Sequence, residues 1–443
     1  MCIFMDSNSC SRCQALEAQL IAVQGRLSAL ERRVKLNSAN SSKPPASDGL
    51  TKPSRVSSLR EPGRKPSGGQ AGHKGGTLEQ VSAPDHVVEH RALACSCGAN
   101  LENVAASSVA KRQVFDITMP RIEVTEHQAV SVCCPHCCRR NSGVFPKEAG
   151  NVVQYGGRIK AIAVYLSNYQ LLPEDRLQAL FADIFGLNIA TATLAAMDAQ
   201  TASILAPVQA EALEKLKAAP VKHLDETGFR VAGKTQWLHV MSNALFTHYR
   251  VSIKRGDLLS GVSGIIVHDH WKPYFTLAGV THALCNAHIL RELKALVEIE
   301  KEIWAHGMQR LMRLLSRLEG PPDASALERI IRLYDQIVAK GLAFHASKPP
   351  LSTRKNKRRV GHNLLLRLQN FKDAVLRFLT SEDIPFTNNQ AEQDIRMMKV
   401  KQKISGCFRT QKGAEIFAII RGFLSTKRKQ GISPFTALTH IYP

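Results

Sequence analysis

The chain has 443 residues, a length that predicts two to four domains of about 100 to 200 residues each. Its 59 basic and 37 acidic residues leave a net charge of +22, and its hydrophobic fraction of 44% excludes wholesale disorder. No stretch of the sequence approaches the roughly 20 apolar residues that span a bilayer. The first expectation is therefore a polyanionic partner, nucleic acid rather than a membrane surface.

The start of the chain and the cysteine count predict the compartment. Residues 1–10 lack the basic region and the apolar core of a signal peptide, so we expect a cytoplasmic protein. Eleven cysteines, an odd number with several close together, then indicate metal binding rather than disulfides.

An apolar seam opens the chain and a basic segment follows it. The seam repeats at alternating spacings of three and four, as in a coiled coil, at Cys13, Leu16, Leu20, Val23, Leu27, Leu30 and Val34. Self-association through this seam is the favoured interpretation, and a helix packed on its own chain is the alternative. Residues 37–76 carry seven basic and two acidic residues and few large apolar ones, which indicates a linker or a DNA-binding arm.

Two cysteine knuckles follow the basic segment. The first is Cys95-Ser-Cys97, and the second contains Cys134-x-x-Cys137. Between them, an alternating stretch from Val114 to Val132 predicts strands. Four thiolates on two tight turns can close a tetrahedron around structural Zn²⁺, although Cys133, His136 and Cys138 compete as ligands, and unligated buried cysteines are the alternative.

The remainder of the sequence predicts helices, then a sheet, then helices again. Residues 155–200 predict two helices separated by Gly186, either a helix-turn-helix that reads DNA or an ordinary helical hairpin. Strands are predicted at residues 221–224, 236–243, 248–253 and 264–267, as in a mixed α/β domain. Residues 287–380 predict a helical insertion with a solvated basic loop at 354–359. The tail at 396–429, with ten basic residues and one acidic residue, predicts a helix-loop-helix.

Three acidic residues are candidates for one site. Asp225 and Asp269 follow predicted strands, and Glu392 lies at the start of a helix that Thr387 or Asn388 can cap. Such a trio suits phosphoryl chemistry, in which two Mg²⁺ ions need hard oxygen ligands. For each acid alone, the alternative is a solvated or capping role.

Ordered motifs along nearly the whole chain resemble the insertion-sequence-66 family of DDE transposases. They are Asn40-Ser-Ser-Lys-Pro-Pro45, Arg64-Lys-Pro-Ser-Gly-Gly-Gln-Ala-Gly-His-Lys-Gly75, the cysteine knuckles, Tyr165-Leu-Ser-Asn-Tyr-Gln-Leu-Leu-Pro173, His223-Leu-Asp-Glu-Thr-Gly228, Cys285-Asn-Ala-His288 and Thr387-Asn-Asn-Gln-Ala-Glu392. After the second acid, where relatives often have Gly-Tyr, this chain has Asp269-His-Trp-Lys-Pro-Tyr274.

The resemblance implies a ribonuclease-H-like core in which Asp225, Asp269 and Glu392 are catalytic and bind Mg²⁺ or Mn²⁺. It also implies a structural role beside the site for Cys285 and His288. Without the resemblance, these two residues are interpreted as core residues, with a two-residue zinc half-site as the alternative. Strand alternation is expected to point Glu226 away from the metals, and Asp394 is expected to lie off the Glu392 face of its helix.

From these features we expect a bacterial cytoplasmic enzyme, acting on the chromosome, that cuts and joins the double-stranded DNA of element ends and target. We expect phosphate contacts from Lys399, Lys401, Lys403 and Arg409, structural Zn²⁺ at Cys95, Cys97, Cys134 and Cys137, and a homo-oligomer that small accessory proteins of the element can assist. The alternatives are an endonuclease without strand transfer and an inactive DNA-binding regulator.

The predicted architecture is multidomain α+β. Its parts are a coiled-coil helix (1–36), a basic arm (37–76), a zinc-binding module (77–150), a helix-turn-helix-like domain (151–217), the first part of the catalytic core (218–286), the helical insertion (287–383), and the end of the core with the basic tail (384–443).

Overall fold

The computed structural model describes residues 11–37, 40–41, 78–118, 120–146, 149–258, 260–349 and 358–442. The chain forms two compact units, one made of Met1–Leu59 and Glu126–Pro443 and the other of Arg60–Thr125. The boundary between the units falls inside the predicted zinc module. Most of the predicted basic arm and most of the predicted basic loop at 354–359 lie outside the described residues.

The first helix, α1 (Ser11–Lys35), confirms that the N-terminal seam is helical. The seam is uncovered in the single chain, since Leu20 and Leu27 leave 58% and 56% of their surfaces exposed. Arg32 of α1 forms an ion pair with Glu300, which joins this helix to a later part of the same unit. The seam is thus available to a second copy, whereas a helix packed on its own chain through these residues would bury them.

The first cysteine knuckle is a tight turn within the Arg60–Thr125 unit. The backbone N–H of Cys95 donates to the carbonyl of Ala99, and the N–H of Gly98 donates to the carbonyl of Cys95, both at 2.9 Å. Gly98 has a φ of 93°, a conformation that glycine adopts without a steric penalty. The short Cys-x-Cys spacing is therefore compatible with a closed turn.

The second knuckle is enclosed by an antiparallel hairpin in the other unit. Its strands are β1 (Ser131–Cys133) and β2 (Arg140–Ser142). The prediction of strands throughout 114–132 is wrong, because among the described residues of this stretch (114–118 and 120–132) only the last two are in a strand. The alternating side chains face solvent, as shown by Val114 at 92% exposure, and alternation favours a strand only where one face can be buried.

Three helices and a π-helical turn form the region predicted as helix-turn-helix-like. They are α2 (Gly157–Val164), the turn Tyr165–Tyr169, α3 (Glu174–Phe185) and α4 (Thr191–Ala218). Gly186 ends α3 in the left-handed conformation, as its position in the sequence predicts. The predicted end of the next helix at residue 200 is wrong, since α4 continues with Leu205, Ala212 and Leu216 buried.

A five-stranded sheet forms the centre of the chain. Its strands are β3 (Val221–Val231), β4 (Lys234–Ser242), β5 (Thr247–Ser252), β6 (Gly264–His268) and β7 (Val280–Leu284), in the order β5-β4-β3-β6-β7. The pairs β3–β4 and β4–β5 are antiparallel, whereas β6 pairs with β3, and β7 with β6, in parallel. The four predicted strands are confirmed, and β7 was not predicted.

The strand β3 is longer than predicted because it forms a hairpin with β4. Val231 pairs with Lys234, which leaves a two-residue turn of Ala232 and Gly233. Both turn residues have positive φ, 46° and 75°, as a two-residue turn that follows the twist of its strands requires. Asp225 therefore lies inside a strand and not at its end.

The helical insertion is confirmed after the sheet. Its helices are α5 (Asn286–Ala295), α6 (Ile303–Leu315), α7 (Ala324–Ala346), α8 (Val360–Asn370) and α9 (Lys372–Leu376). They pack around a core of their own that includes Leu293, Met308, Tyr334 and Leu365. The amide N–H of Asn286 donates to the carbonyl of Phe386 at 3.1 Å, so the entry and exit of the insertion meet.

The predicted helix-loop-helix of the tail is also confirmed. It consists of α10 (Asn389–Ser405) and α11 (Gln411–Lys429), and α12 (Pro434–Thr439) follows. Buried Ile420 and Leu424 of α11 join the same core as Leu177 and Phe181 of α3. Within the part of the chain that the structure describes, no helix has the length and apolarity to cross a membrane.

The exposed seam of α1 leads to a prediction about assembly. Replacing Leu20 and Leu27 together with Asp should lower the molar mass measured by light scattering, because charges at both seam positions oppose helix pairing. The matched control replaces Ala22 and Ala29 with Asp, which adds the same charge off the seam. An unchanged mass for the seam variant would contradict pairing through α1.

Candidate functional site

The first two acidic candidates lie side by side on neighbouring parallel strands. The register pairs His223 of β3 with Val267 of β6, and extending it by two residues places Asp225 opposite Asp269. Asp269 directly follows the end of β6. The two carboxylates therefore share the edge at which β6 ends and β3 continues.

The third candidate, Glu392, reaches this edge through Asn388. The Asn388 side-chain amide donates to the carbonyl of Leu224 at 2.8 Å, and its oxygen lies 2.8 Å from Nδ1 of His223. The N–H of Glu392 donates to the carbonyl of Asn388, in the first turn of α10. Asn388 thus fixes the start of α10 beside the residue that precedes Asp225.

The Asn388 side chain has a different role from the one its sequence position suggests. It occupies the N-cap position of α10, but its amide bonds to β3 instead of capping the helix. Leu224 lies one residue beyond the last β3–β6 pair, at His223, so its carbonyl has no partner in that ladder. The Asn388 amide supplies this hydrogen bond in place of a strand.

Cys285 joins the same group of residues. Its backbone N–H donates to the carbonyl of His268 at 2.8 Å, and its thiol accepts the N–H of Asn388 at 3.1 Å. The Sγ atom lies 3.9 Å from Oε1 of Glu392. Burial, followed by the charge of Glu392, raises the pKa of Cys285 to about 12, so the isolated side chain is a neutral thiol at pH 7.

The charges around Asp225 show that the three acids act on one another. Burial raises the pKa of Asp225 well above its usual value, and the negative charges of Glu226, Asp269 and Glu392 raise it further. A hydrogen bond from the backbone N–H of Glu226, at 2.9 Å, acts in the opposite direction. The largest charges that contribute to this shift are all acidic, so negative charge is concentrated at this edge.

Glu226, the neighbour of Asp225, has partners of its own. Its Oε1 atom accepts a hydrogen bond from Arg255 at 2.6 Å, and its Oε2 atom accepts the hydroxyl of Tyr274. The Arg255 guanidinium lies over the rings of Trp237 and Trp271, at 5.0 and 4.2 Å from their centroids. This ion pair offsets part of the charge of Glu226, and no motif in the sequence linked Arg255 to it.

Asp394 also has partners of its own. It is buried and accepts a hydrogen bond from Lys429 at 2.7 Å. Lys429 also donates to the carbonyls of Asn243 and Phe246. The ion pair therefore joins α10 to α11, and Lys429 joins both to the β4–β5 turn.

The four basic residues predicted to contact phosphates lie in different environments. Lys399 donates to the carbonyl of Gly228, and Lys401 lies 6.0 Å from the ring centroid of Phe417. Burial lowers the pKa of both lysines. Lys403 and Arg409 are exposed. Because residues 399, 401 and 403 lie on a helix, their side chains do not share one face.

The predicted zinc ligands belong to both units of the chain. In each knuckle, the first cysteine accepts backbone hydrogen bonds that lower its pKa, from Cys97 to Cys95 and from Cys137 and His136 to Cys134. Cys95 and Cys97 belong to one unit and Cys134 and Cys137 to the other. Each turn favours a thiolate, the form that binds zinc.

The comparisons with known proteins identify the chain by class and family. A family model described as Transposase IS66 family matches residues 152–416, more than half of the chain, and includes all three acids. The chain therefore belongs to the IS66 family of transposases. A second model, Family of unknown function (DUF6444), matches residues 7–79. The comparison with curated proteins found no match.

The position of Asn388 leads to a prediction about stability. Asn388→Ala should lower the free energy of unfolding by about 1–3 kcal/mol, because it leaves the buried carbonyl of Leu224 without its hydrogen bond. Asn389→Ala, at the exposed neighbouring position, is the matched control and should change the stability by less than about 0.5 kcal/mol. Urea unfolding measures both. Equal effects would contradict the proposed connection between α10 and β3.

Proposed function

We propose that this transposase cuts and joins DNA by a DDE mechanism in which Asp225, Asp269 and Glu392 hold divalent metal ions. The observation that carries the proposal is the meeting of three acids at one sheet edge, where the largest charges acting on Asp225 are acidic. The central position of β3, with antiparallel strands on one side and parallel strands on the other, supports a ribonuclease-H-like core.

The residues at this edge fit Mg²⁺ or Mn²⁺. Both ions prefer oxygen ligands, and three carboxylates supply them. Glu226 is paired with Arg255, whereas the largest charges that raise the pKa of Asp225 are acidic. Binding of cations would therefore relieve a repulsion that the described residues leave in place.

Each acid would have its own role in the reaction. Asp225 and Asp269 would hold the metal from adjacent strands, and Glu392 would complete the ligand set from α10 and orient the attacking oxygen. When bound, the metal ions would activate first a water and then the freed 3′-hydroxyl, and would stabilise the leaving oxygen. Asn388 would act as a positioning residue, because it sets the distance of Glu392 from β3.

The remaining parts of the chain would bind DNA and assemble the complex. We propose that the zinc module, the helix-turn-helix-like domain, the basic arm and the tail contact double-stranded DNA, in keeping with the net charge of +22. The exposed seam of α1 would bring two subunits, and so two element ends, together. We keep the seven-part division predicted from the sequence as the proposed distribution of these roles along the chain.

The acidic trio leads to a test of the mechanism. Asp225→Asn, Asp269→Asn and Glu392→Gln should each abolish cleavage and joining of the element's own ends in Mg²⁺, while binding to those ends stays within a few-fold. Asp383→Asn, an exposed acid in the loop before α10, is the control and should retain activity.

The products of the wild-type protein separate the proposal from its rivals. Joined products would support a transposase, and nicked products without joining would indicate an endonuclease. An absence of both products, with DNA binding intact, would indicate a regulator. Normal cleavage by Glu392→Gln would contradict the assignment of the third acid.

The exposure of Lys403 and Arg409 leads to a prediction about DNA affinity. Replacing both with Gln should lower the slope of log K against log salt on duplex DNA by up to about 1.8, since each phosphate contact contributes about 0.9. Arg329 and Lys340, exposed on α7, are replaced with Gln as the control for the same charge change. If the two pairs change the slope equally, the tail makes no special contribution.

A further inference from the structure

A second group of possible metal ligands lies beside the three acids and includes one of them. The thiol of Cys285, the imidazole of His288 and the carboxylate of Glu392 each offer an atom, and these atoms lie within 4.8 Å of one another. Sulfur and nitrogen donors prefer Zn²⁺ and similar ions, whereas Mg²⁺ prefers oxygen alone. This group therefore differs in chemistry from the set of three carboxylates.

Two helix N-termini bring these donors together. Cys285 occupies the N-cap of α5, and His288 lies three residues later in its first turn, so the two side chains share one face. Glu392 lies in the first turn of α10. The N-termini of helices carry partial positive charge, which would stabilise a carboxylate and a metal-bound thiolate at this position.

The hydrogen bonds made by Cys285 and His288 leave atoms available to bind a metal ion. Among the described residues, the buried Nδ1 atom of His288 has no hydrogen-bond partner, which is costly for a polar atom. The Cys285 thiol accepts the N–H of Asn388 at 3.1 Å, an interaction that a metal-bound thiolate can keep. A metal ion at this point would give His288 a partner and would preserve the contact with Asn388.

We propose that Cys285, His288 and Glu392 form a binding site for one Zn²⁺-like ion, with a fourth position open to water. On binding, Cys285 releases its thiol proton to solvent, and the resulting thiolate and the Glu392 carboxylate balance the two charges of the ion. Three protein ligands with one open position are a common zinc arrangement.

The site has a consequence for the reaction because it shares Glu392 with the acidic trio. An ion bound to Cys285 and His288 would hold Glu392 away from its role beside Asp225 and Asp269, and would inhibit the reaction. This consequence rests on the proposed function, whereas the binding of the ion does not. Zn²⁺ and Mg²⁺ would thus compete through one carboxylate.

The binding is tested with Co²⁺, whose coordination to a thiolate produces a charge-transfer absorption band. The full-length protein and its Cys285→Ser variant are titrated, and the bound metal is counted after gel filtration. The wild type should bind one more Co²⁺ per chain than the variant. Cys407→Ser, the same substitution at an exposed cysteine, should bind as much Co²⁺ as the wild type. Both variants keep the zinc knuckles, so Co²⁺ bound at the knuckles cancels in the comparison.

Two further variants make the test independent of the folding of Cys285→Ser. His288→Gln and Glu392→Gln should each weaken Co²⁺ binding at this site by roughly tenfold or more, since loss of an outer-shell partner alone costs about 10 to 100-fold. Identical stoichiometry and spectra for the wild type and all three site variants would overturn the proposal.

The competition is tested separately on DNA. Zn²⁺ is added to the Mg²⁺ reaction of the Cys407→Ser control and to whatever activity the Cys285→Ser variant retains. The Zn²⁺ concentration that halves activity should be lower for the control than for Cys285→Ser. If the protein shows no Mg²⁺-dependent cleavage but the Co²⁺ difference is present, the soft-metal site stands and the proposed function fails. Equal Zn²⁺ sensitivity of the two variants would overturn the competition.

Discussion

The placement of negative charge at one edge of the sheet is the constraint on which the site depends. Asp225 is surrounded by three other acids, and burial adds to the cost of its charge. Neighbouring carboxylates repel one another, and they would move apart unless the strands and helix that carry them were held rigidly. Asn388 provides one support, because it joins β3, Cys285 and the start of α10 through hydrogen bonds.

The neighbours Asp225 and Glu226 show how the fold gives different partners to two carboxylates that are adjacent in the chain. Glu226 accepts hydrogen bonds from Arg255 and Tyr274, which remove it as a free ligand. Asp225 aligns with Asp269 across the parallel pair, and the largest charges acting on it are acidic. One carboxylate thus stabilises the structure, and the other remains available for chemistry.

The long separation of the third acid from the other two has a simple structural solution. The helical insertion packs around its own core, and its ends meet where Asn286 bonds to Phe386. Closing the insertion at its base allows α10 to continue beside the sheet as though the insertion were a short loop. Its length therefore does not disturb the distance between Glu392 and β3, and Asn388 sets that distance instead.

The sequence by itself determined the elements with strong local patterns. The helical seam of α1, the end of α3 at Gly186, four of the five strands and the helix-loop-helix of the tail were predicted because their periodicity or turn residues are local. It also supplied the three acidic candidates and the family resemblance, and the IS66 family model confirms the family. Alternation alone failed at 114–132, where described apolar side chains such as Val114 and Val124 face solvent instead of one buried face.

Only the tertiary structure decided how distant residues meet. The strand β7 has a mixed polar sequence and is recognised by its pairing with β6. The connection of Asn388 to Leu224, the pairing of Glu226 with Arg255, and the approach of Cys285 and His288 to Glu392 each join residues far apart in the chain. The chemical identity of these groups is written in the sequence, but their distances follow from strand register and helix docking, which a local pattern does not encode.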